Sequence, residues 1–145
     1  MPKITFKGQL PIDVEEKLHL STNDGLTGYR INKFQIMSSN PGNGSHELVG
    51  KIRLTADPNV GPTVDLSDPD VLAACYHTDL GNANVATSDS IIMDQETFNQ
   101  NIFVQIGDAT GGTSPANFYV ELEKFKLDLN TSTFHTLKNI RSRTQ

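Results

Sequence analysis

The residues able to do chemistry in this chain are few and scattered. Cys75 and His77 stand two apart, a spacing that puts both side chains on one face of a strand. A thiol beside an imidazole can act as a nucleophile, but it also needs a group to orient the histidine and a pocket around both. Neither G-x-S-x-G nor H-E-x-x-H occurs. Cys75 sits in the apolar run Leu72-Ala73-Ala74-Cys75-Tyr76, so it reads as a small buried hydrophobe before it reads as a reactive thiol. The four histidines, His19, His46, His77 and His135, form no local metal pair, which leaves a zinc site only to assembly in three dimensions.

Asp65, Asp68 and Asp70 crowd into six residues, as hard-cation sites do, but the spacing fits no EF-hand loop. Ser67-Asp68-Pro69-Asp70 also has the chemistry of a helix start: a capping hydroxyl, a first-turn proline and acids at the positive end. The spacing predicts a short helix near 67–73. Gly107-Asp108-Ala109-Thr110-Gly111-Gly112 has the glycines of a phosphate loop but not its Gly-Lys-Ser/Thr ending, and a strand follows it. It reads as a strand-to-strand loop. Asn43-Gly44-Ser45 and Asn130-Thr131-Ser132 match the glycosylation triplet only by chance, since no secretion signal precedes them, and Asn43-Gly44 reads as a turn.

Periodicity carries much more signal than these groups. Ile102, Val104 and Ile106 alternate with polar or small residues, and Phe118, Val120 and Leu122 do so across the 107–115 loop. Further strands are predicted at 3–6, 17–21, 26–37, 46–55, 74–77, 90–93 and 131–137, with 38–45, 57–62 and 81–88 as loops. Pro11 keeps 9–14 from being a central strand, and Asn23-Asp24-Gly25 supplies a tight turn. Tyr29 and Ile31 share one phase and Phe34 and Ile36 the other, so a bulge is expected near Asn32-Lys33. The same argument applied to Leu122 and Phe125 predicts a second irregularity near Glu123-Lys124. The expected fold is all-β: one antiparallel β-sandwich domain over 1–145, jelly-roll-like, with an N-terminal arm at about 1–14 and a basic tail at about 137–145.

Length and composition fit that picture. The chain has 145 residues, is 36% hydrophobic and has no Trp, and its mean hydropathy is −0.37. A chain of this size buries roughly two-thirds of its unfolded surface. Its net charge of −5 argues against nucleic acid as a partner. One cysteine allows no intrachain disulfide, and no run reaches membrane-spanning length. No cofactor or metal is expected.

Several stretches are familiar as a set. They are Gly28-Tyr29-Arg30-Ile31-Asn32-Lys33-Phe34-Gln35-Ile36-Met37, Glu47-Leu48-Val49-Gly50-Lys51-Ile52, Asp65-Leu66-Ser67-Asp68 with Leu72-Ala73-Ala74, and Phe98-Asn99-Gln100-Asn101-Ile102. Asn117-Phe118-Tyr119-Val120-Glu121-Leu122-Glu123 and Thr136-Leu137-Lys138-Asn139-Ile140-Arg141-Ser142-Arg143 complete the set. Together they resemble small virion structural proteins of marine tailed phages, including cyanophages, from about Gly28 to Arg143. The resemblance implies a particle component made in the host cytoplasm and resident in the virion. It decorates or cements the capsid, forms a knob or vertex, or belongs to the tail. It implies the major capsid protein or other virion proteins as partners and brings no catalytic residues.

Given such a role, lattice contact is expected at 2–14 and 137–143, through Ile4, Phe6, Leu10, Ile140, Arg141 and Arg143, with the acidic body facing solvent. A homotrimer would fit capsid symmetry axes, though nothing in the chain demands it. The alternative is a carbohydrate- or receptor-binding β module, favoured if Tyr76 or Tyr119 is exposed beside acidic residues. An enzyme ranks last, and would need a deep pocket holding Cys75, His77 and a carboxylate.

Overall fold

The computed structural model describes residues 2–41, 44–57, 59–80 and 85–143, with the side chains of 80, 85–86 and 139–143 outside that description. Eight strands and one helix follow in order: β1 (Lys3–Leu10), β2 (Glu15–Leu18), β3 (Thr27–Ser38), β4 (Ser45–Arg53), β5 (Val71–Leu80), β6 (Val85–Ile92), β7 (Ile102–Asp108), β8 (Ala116–Lys126) and α1 (Leu129–Arg143). They form two antiparallel sheets, β1-β8-β3 and β2-β7-β4-β5-β6. The fold is an all-β sandwich, as the alternation predicts.

The wiring is that of a jelly roll with one departure. β1 pairs with β8, β2 with β7 and β4 with β5, each pair nested within the last. Completing the roll would set β6 beside β3. β6 instead folds back on β5 along its length and lies near β3 without a ladder. β7 and β8 belong to different sheets, so the 109–115 loop crosses the sandwich rather than closing a hairpin.

The core fills the space between the sheets. Ile31, Phe34 and Ile36 of β3, Val120 and Leu122 of β8, Leu48 and Ile52 of β4, and Ile102, Val104 and Ile106 of β7 are all buried there. Phe34 crosses the layer against Gly50, where a Cβ would stand 2.9 Å from the ring, so β4 needs a glycine at that point. The register of β3 on β8 shifts between Ile31 and Lys33, and Asn32 and Lys33 are both exposed. That is the bulge the phase change requires.

Four expectations are corrected. β8 runs through Glu123-Lys124 in continuous register with β3, and Phe125 changes phase without a bulge by lying over Gly28. No helix occupies 67–73. Asp65 and Asp68 accept hydrogen bonds from the amides of Ser67 and Asp70, which closes turns, and Val71 then starts β5. The expected strand at 131–137 and the tail as far as 143 are instead α1, with Asp128 Oδ1 accepting from Thr131 N at 2.7 Å as its N-cap, and 144–145 lie outside the described residues. Within the 81–88 segment read as loop, 85–88 belong to β6 and 81–84 lie outside the described residues.

Candidate functional site

Cys75 lies in the core between the sheets, and burial pushes its thiol up to about 11. It stays protonated at pH 7, the opposite of what a nucleophilic thiolate needs. Asp108 Oδ1 accepts from the Thr110 amide and hydroxyl and from the Glu47 amide. The glycine-rich loop is therefore a turn built on Asp108, and it leads into β8. Among the described residues no group of three or more His, Cys, Asp or Glu is placed to hold a metal ion.

The acidic trio serves a different purpose. The described residues of the 54–70 segment, 54–57 and 59–70, form a strap across the outer face of the five-stranded sheet. Arg53 Nη2 donates to Asp68 Oδ2 at 2.8 Å, and Thr55 Oγ1 donates to Asp70 Oδ2 at 2.7 Å. Lys51 Nζ lies 3.3 Å from Asp57 Oδ2, which also accepts from Gln105 Nε2 at 3.1 Å. The amide of Asp57 donates to the Glu15 carboxylate, and Gly61 N donates to Gln105 Oε1. Burial pushes the carboxyl groups of Asp57 and Asp68 up. Their hydrogen bonds outweigh it: from the Asn59 amide, Gln105 and Lys51 for Asp57, and from Arg53 and the Asp70 amide for Asp68. Both carboxyl groups end below their ordinary values. The strap explains why Gln105 and Gly107 are buried although they point away from the core.

Beyond the strap an apolar groove of about 400 Å³ remains open. Val49 faces Tyr76 across β4 and β5, Ala74 faces Ile91 across β5 and β6, and Val64 and Leu66 of the strap form the other wall. Val64, Leu66, Tyr76 and Ile91 are 39–50% exposed. Asp89, opposite Tyr76 in the register, and Asp65 on the strap are exposed beside them.

The helix α1 is docked with its polar side inward. Ser132 Oγ donates to Gly25 O at 2.6 Å, and Asn99 Nδ2 reaches Gly25 O, Ser132 O and Thr136 Oγ1. Thr97 Oγ1 is 2.9 Å from His135 Nε2, and Lys138 Nζ is 3.1 Å from Glu96 Oε2. Burial, with Lys138 nearby, lowers the pKa of His135, which keeps its imidazole neutral at pH 7. Leu129, Phe134 and Leu137 are left 72%, 58% and 61% exposed. An apolar stripe normally turns to the core; here it faces solvent.

A third surface is an open trough of about 780 Å³ that runs across β1, β8 and β3 and is also lined by His77 of β5 and Ser88 of β6. Lys7, Tyr119 and Gln35 form one row across the strands and Gln9, Asn117 and Met37 the next. Gln9 Nε2 donates to Asn117 Oδ1 at 3.1 Å. Tyr119 is half-buried with Glu121 two residues along the same face.

The expected contact residues fall differently. The 1–14 arm is not free, because β1 is the edge strand of the three-stranded sheet. Leu10 is buried in the core, and Ile4 and Phe6 are partly buried and pack against it. Ile140, Arg141 and Arg143 belong to α1, but their side chains lie outside the described residues. Leu137 lies in the segment expected to make contact, whereas the exposure of Leu129 and Phe134 is not anticipated by a strand at 131–137. The Asp128 cap and the helical spacing of Phe134 and Leu137 were the available signal.

No family model matches the chain, and no curated protein matches it.

Proposed function

We propose that this chain is a non-enzymatic structural component of a tailed-phage virion, decorating or cementing the capsid surface, and that it acts through surface contact. The resemblance from about Gly28 to Arg143 suggests the particle. The observation that carries the contact role is the outward apolar stripe of α1. Exposing Leu129, Phe134 and Leu137 on a helix whose polar side is already bonded to the body costs solubility with no gain to the fold, unless something covers them. The partner is the major capsid protein or another virion protein.

Co-sedimentation with shells lacking the protein tests this reading. The native chain is expected to bind saturably at a fixed ratio to the major shell protein. Phe134→Glu with Leu137→Glu should abolish binding while leaving the melting temperature within a few degrees, since both side chains are exposed. Absence of saturable binding by the native chain to shells or tails would refute it.

One observation favours a second reading, recognition of a host-surface glycan. Tyr119 offers a ring face beside Glu121 and among the amides of Gln9, Gln35 and Asn117, and sugars are held by such ring faces and by amide hydrogen bonds. Under that reading the chain binds members of a glycan panel and Tyr119→Ala loses them; a panel with no binders excludes it.

A further inference from the structure

The chain carries both halves of one apolar contact, and its own fold keeps them apart. The stripe of α1 is convex, while the groove between the strap and β5–β6 is concave and similarly apolar. α1 is fixed by its bonds to Gly25, Thr97, Asn99 and Glu96, so it cannot swing into the groove of its own chain. We propose that the occupant of the groove is α1 of a second copy, in a closed assembly where every copy uses both surfaces. This deepens the virion-contact reading, by naming a second copy on the particle as the virion protein that α1 meets, and rests on it.

Charge supports this occupant. The sequence after Lys138, which pairs with Glu96, carries Arg141 and Arg143 and no acid, whereas the groove is lined by the exposed Asp89 in a chain of net charge −5. Area supports closure. The contact joins Leu129, Phe134 and Leu137 to Val64, Leu66, Tyr76 and Ile91. At roughly 100 Å² each, these side chains bury on the order of 700 Å². That is below the roughly 1,200 Å² of a stable specific interface, and a reciprocal two-fold dimer, which places two such contacts in one interface, exceeds it. A contact that is not reciprocal would leave each interface with one such area and could run on as an open filament, so the closed assembly is the reciprocal dimer.

The test is sedimentation of the full chain at micromolar concentration, without particles. The native protein is expected as one discrete species at a whole multiple of 15.9 kDa. Phe134→Glu/Leu137→Glu removes the helix surface, and Leu66→Glu/Ile91→Glu removes the groove. Each is expected to weaken self-association by about thirtyfold or more. Mixing the two variants should give association stronger than that of either variant alone and weaker than that of the native chain, because a mixed pair keeps one of the two contacts, one variant supplying an intact groove and the other an intact helix. A monomeric native chain, an unaffected groove variant, or a mixture that associates no better than either variant alone would overturn the proposal. Failure here with particle binding retained would sink the second-copy contact alone. Self-association without particle binding would sink the virion reading instead.

Discussion

Gly107→Ala is expected to destabilise the protein by about 2–3 kcal/mol, through overpacking under the strap. A Cβ at Gly107 would stand 2.6 Å from Pro62 N, 2.8 Å from Gly61 C and 2.9 Å from Pro62 Cα. All three are backbone atoms, so no rotamer change relieves the clash and the strap must lift. Lifting it disturbs the Gly61–Gln105 bond and moves the wall that Val64 and Leu66 give to the groove. Urea unfolding measures the loss, and faster amide exchange at 59–61 would localise it. Gly61→Ala is the control, because nothing lies within 4 Å of its Cβ position; it should change stability by less than about 0.5 kcal/mol. Equal stability of Gly107→Ala and the parent would show that the strap does not press on β7.

Lys51→Met is expected to cost about 3 kcal/mol at pH 7. The Lys51 and Asp57 side chains are 7% and 13% exposed, so removing the ammonium leaves a poorly solvated carboxylate near Glu15. Adding Asp57→Asn should recover most of the loss, because the remaining buried charge goes with it; a double mutant as unstable as Lys51→Met would contradict this.

The same network sets the acid response. Asp57 and Asp68 have folded pKa values below their unfolded ones, so their stabilisation is complete above about pH 4. It is lost as pH falls through the lower folded values. Glu15, raised by burial first and by Asp57 among the charges, acts in the opposite sense, and its penalty is relieved at higher pH, as pH falls toward its ordinary value of 4.5. The urea midpoint should fall from pH 4 to pH 2.5 in the parent and fall somewhat less in Lys51→Met/Asp57→Asn, which loses the Asp57 share and keeps those of Asp68 and Asp108.

The sandwich was legible because its signal is local. Alternation in 102–106 and 118–122 states which side chains meet the core, and the Tyr29-to-Phe34 phase change states that β3 must bulge. The strap was not legible, because it depends on pairs such as Gln105 with Asp57 and Arg53 with Asp68 that are brought together only by the sheet. For the same reason Asp68 and Asp70 looked like a helix start, when their partners are Arg53 and Thr55. α1 was hidden by Thr131, Thr133 and Thr136, whose β-branching suggests a strand, and by an apolar stripe that does not face the core. Phase alone mistook Phe125 for a bulge, since it cannot see that Gly28 leaves room for the ring.

The contact surfaces follow from the same geometry. Ile4, Phe6 and Leu10 were read as an arm that would reach a partner, but pairing with β8 turns them inward. What remains for a partner is the outer side of α1, the groove beside the strap and the trough around Tyr119.

Hydroxyl-radical footprinting of the chain, free and bound to the particle, tests the contact role most directly. Phe134, Leu137, Tyr76 and Ile91 report on the helix and groove, and Met37 and Tyr119 report on the trough; all are reactive side chains with some exposure. Assembly is expected to protect the first four and leave Met37 and Tyr119 as reactive as in the free chain. Protection of Met37 and Tyr119 with Phe134 and Leu137 still reactive would contradict the account and move the contact to the three-stranded sheet.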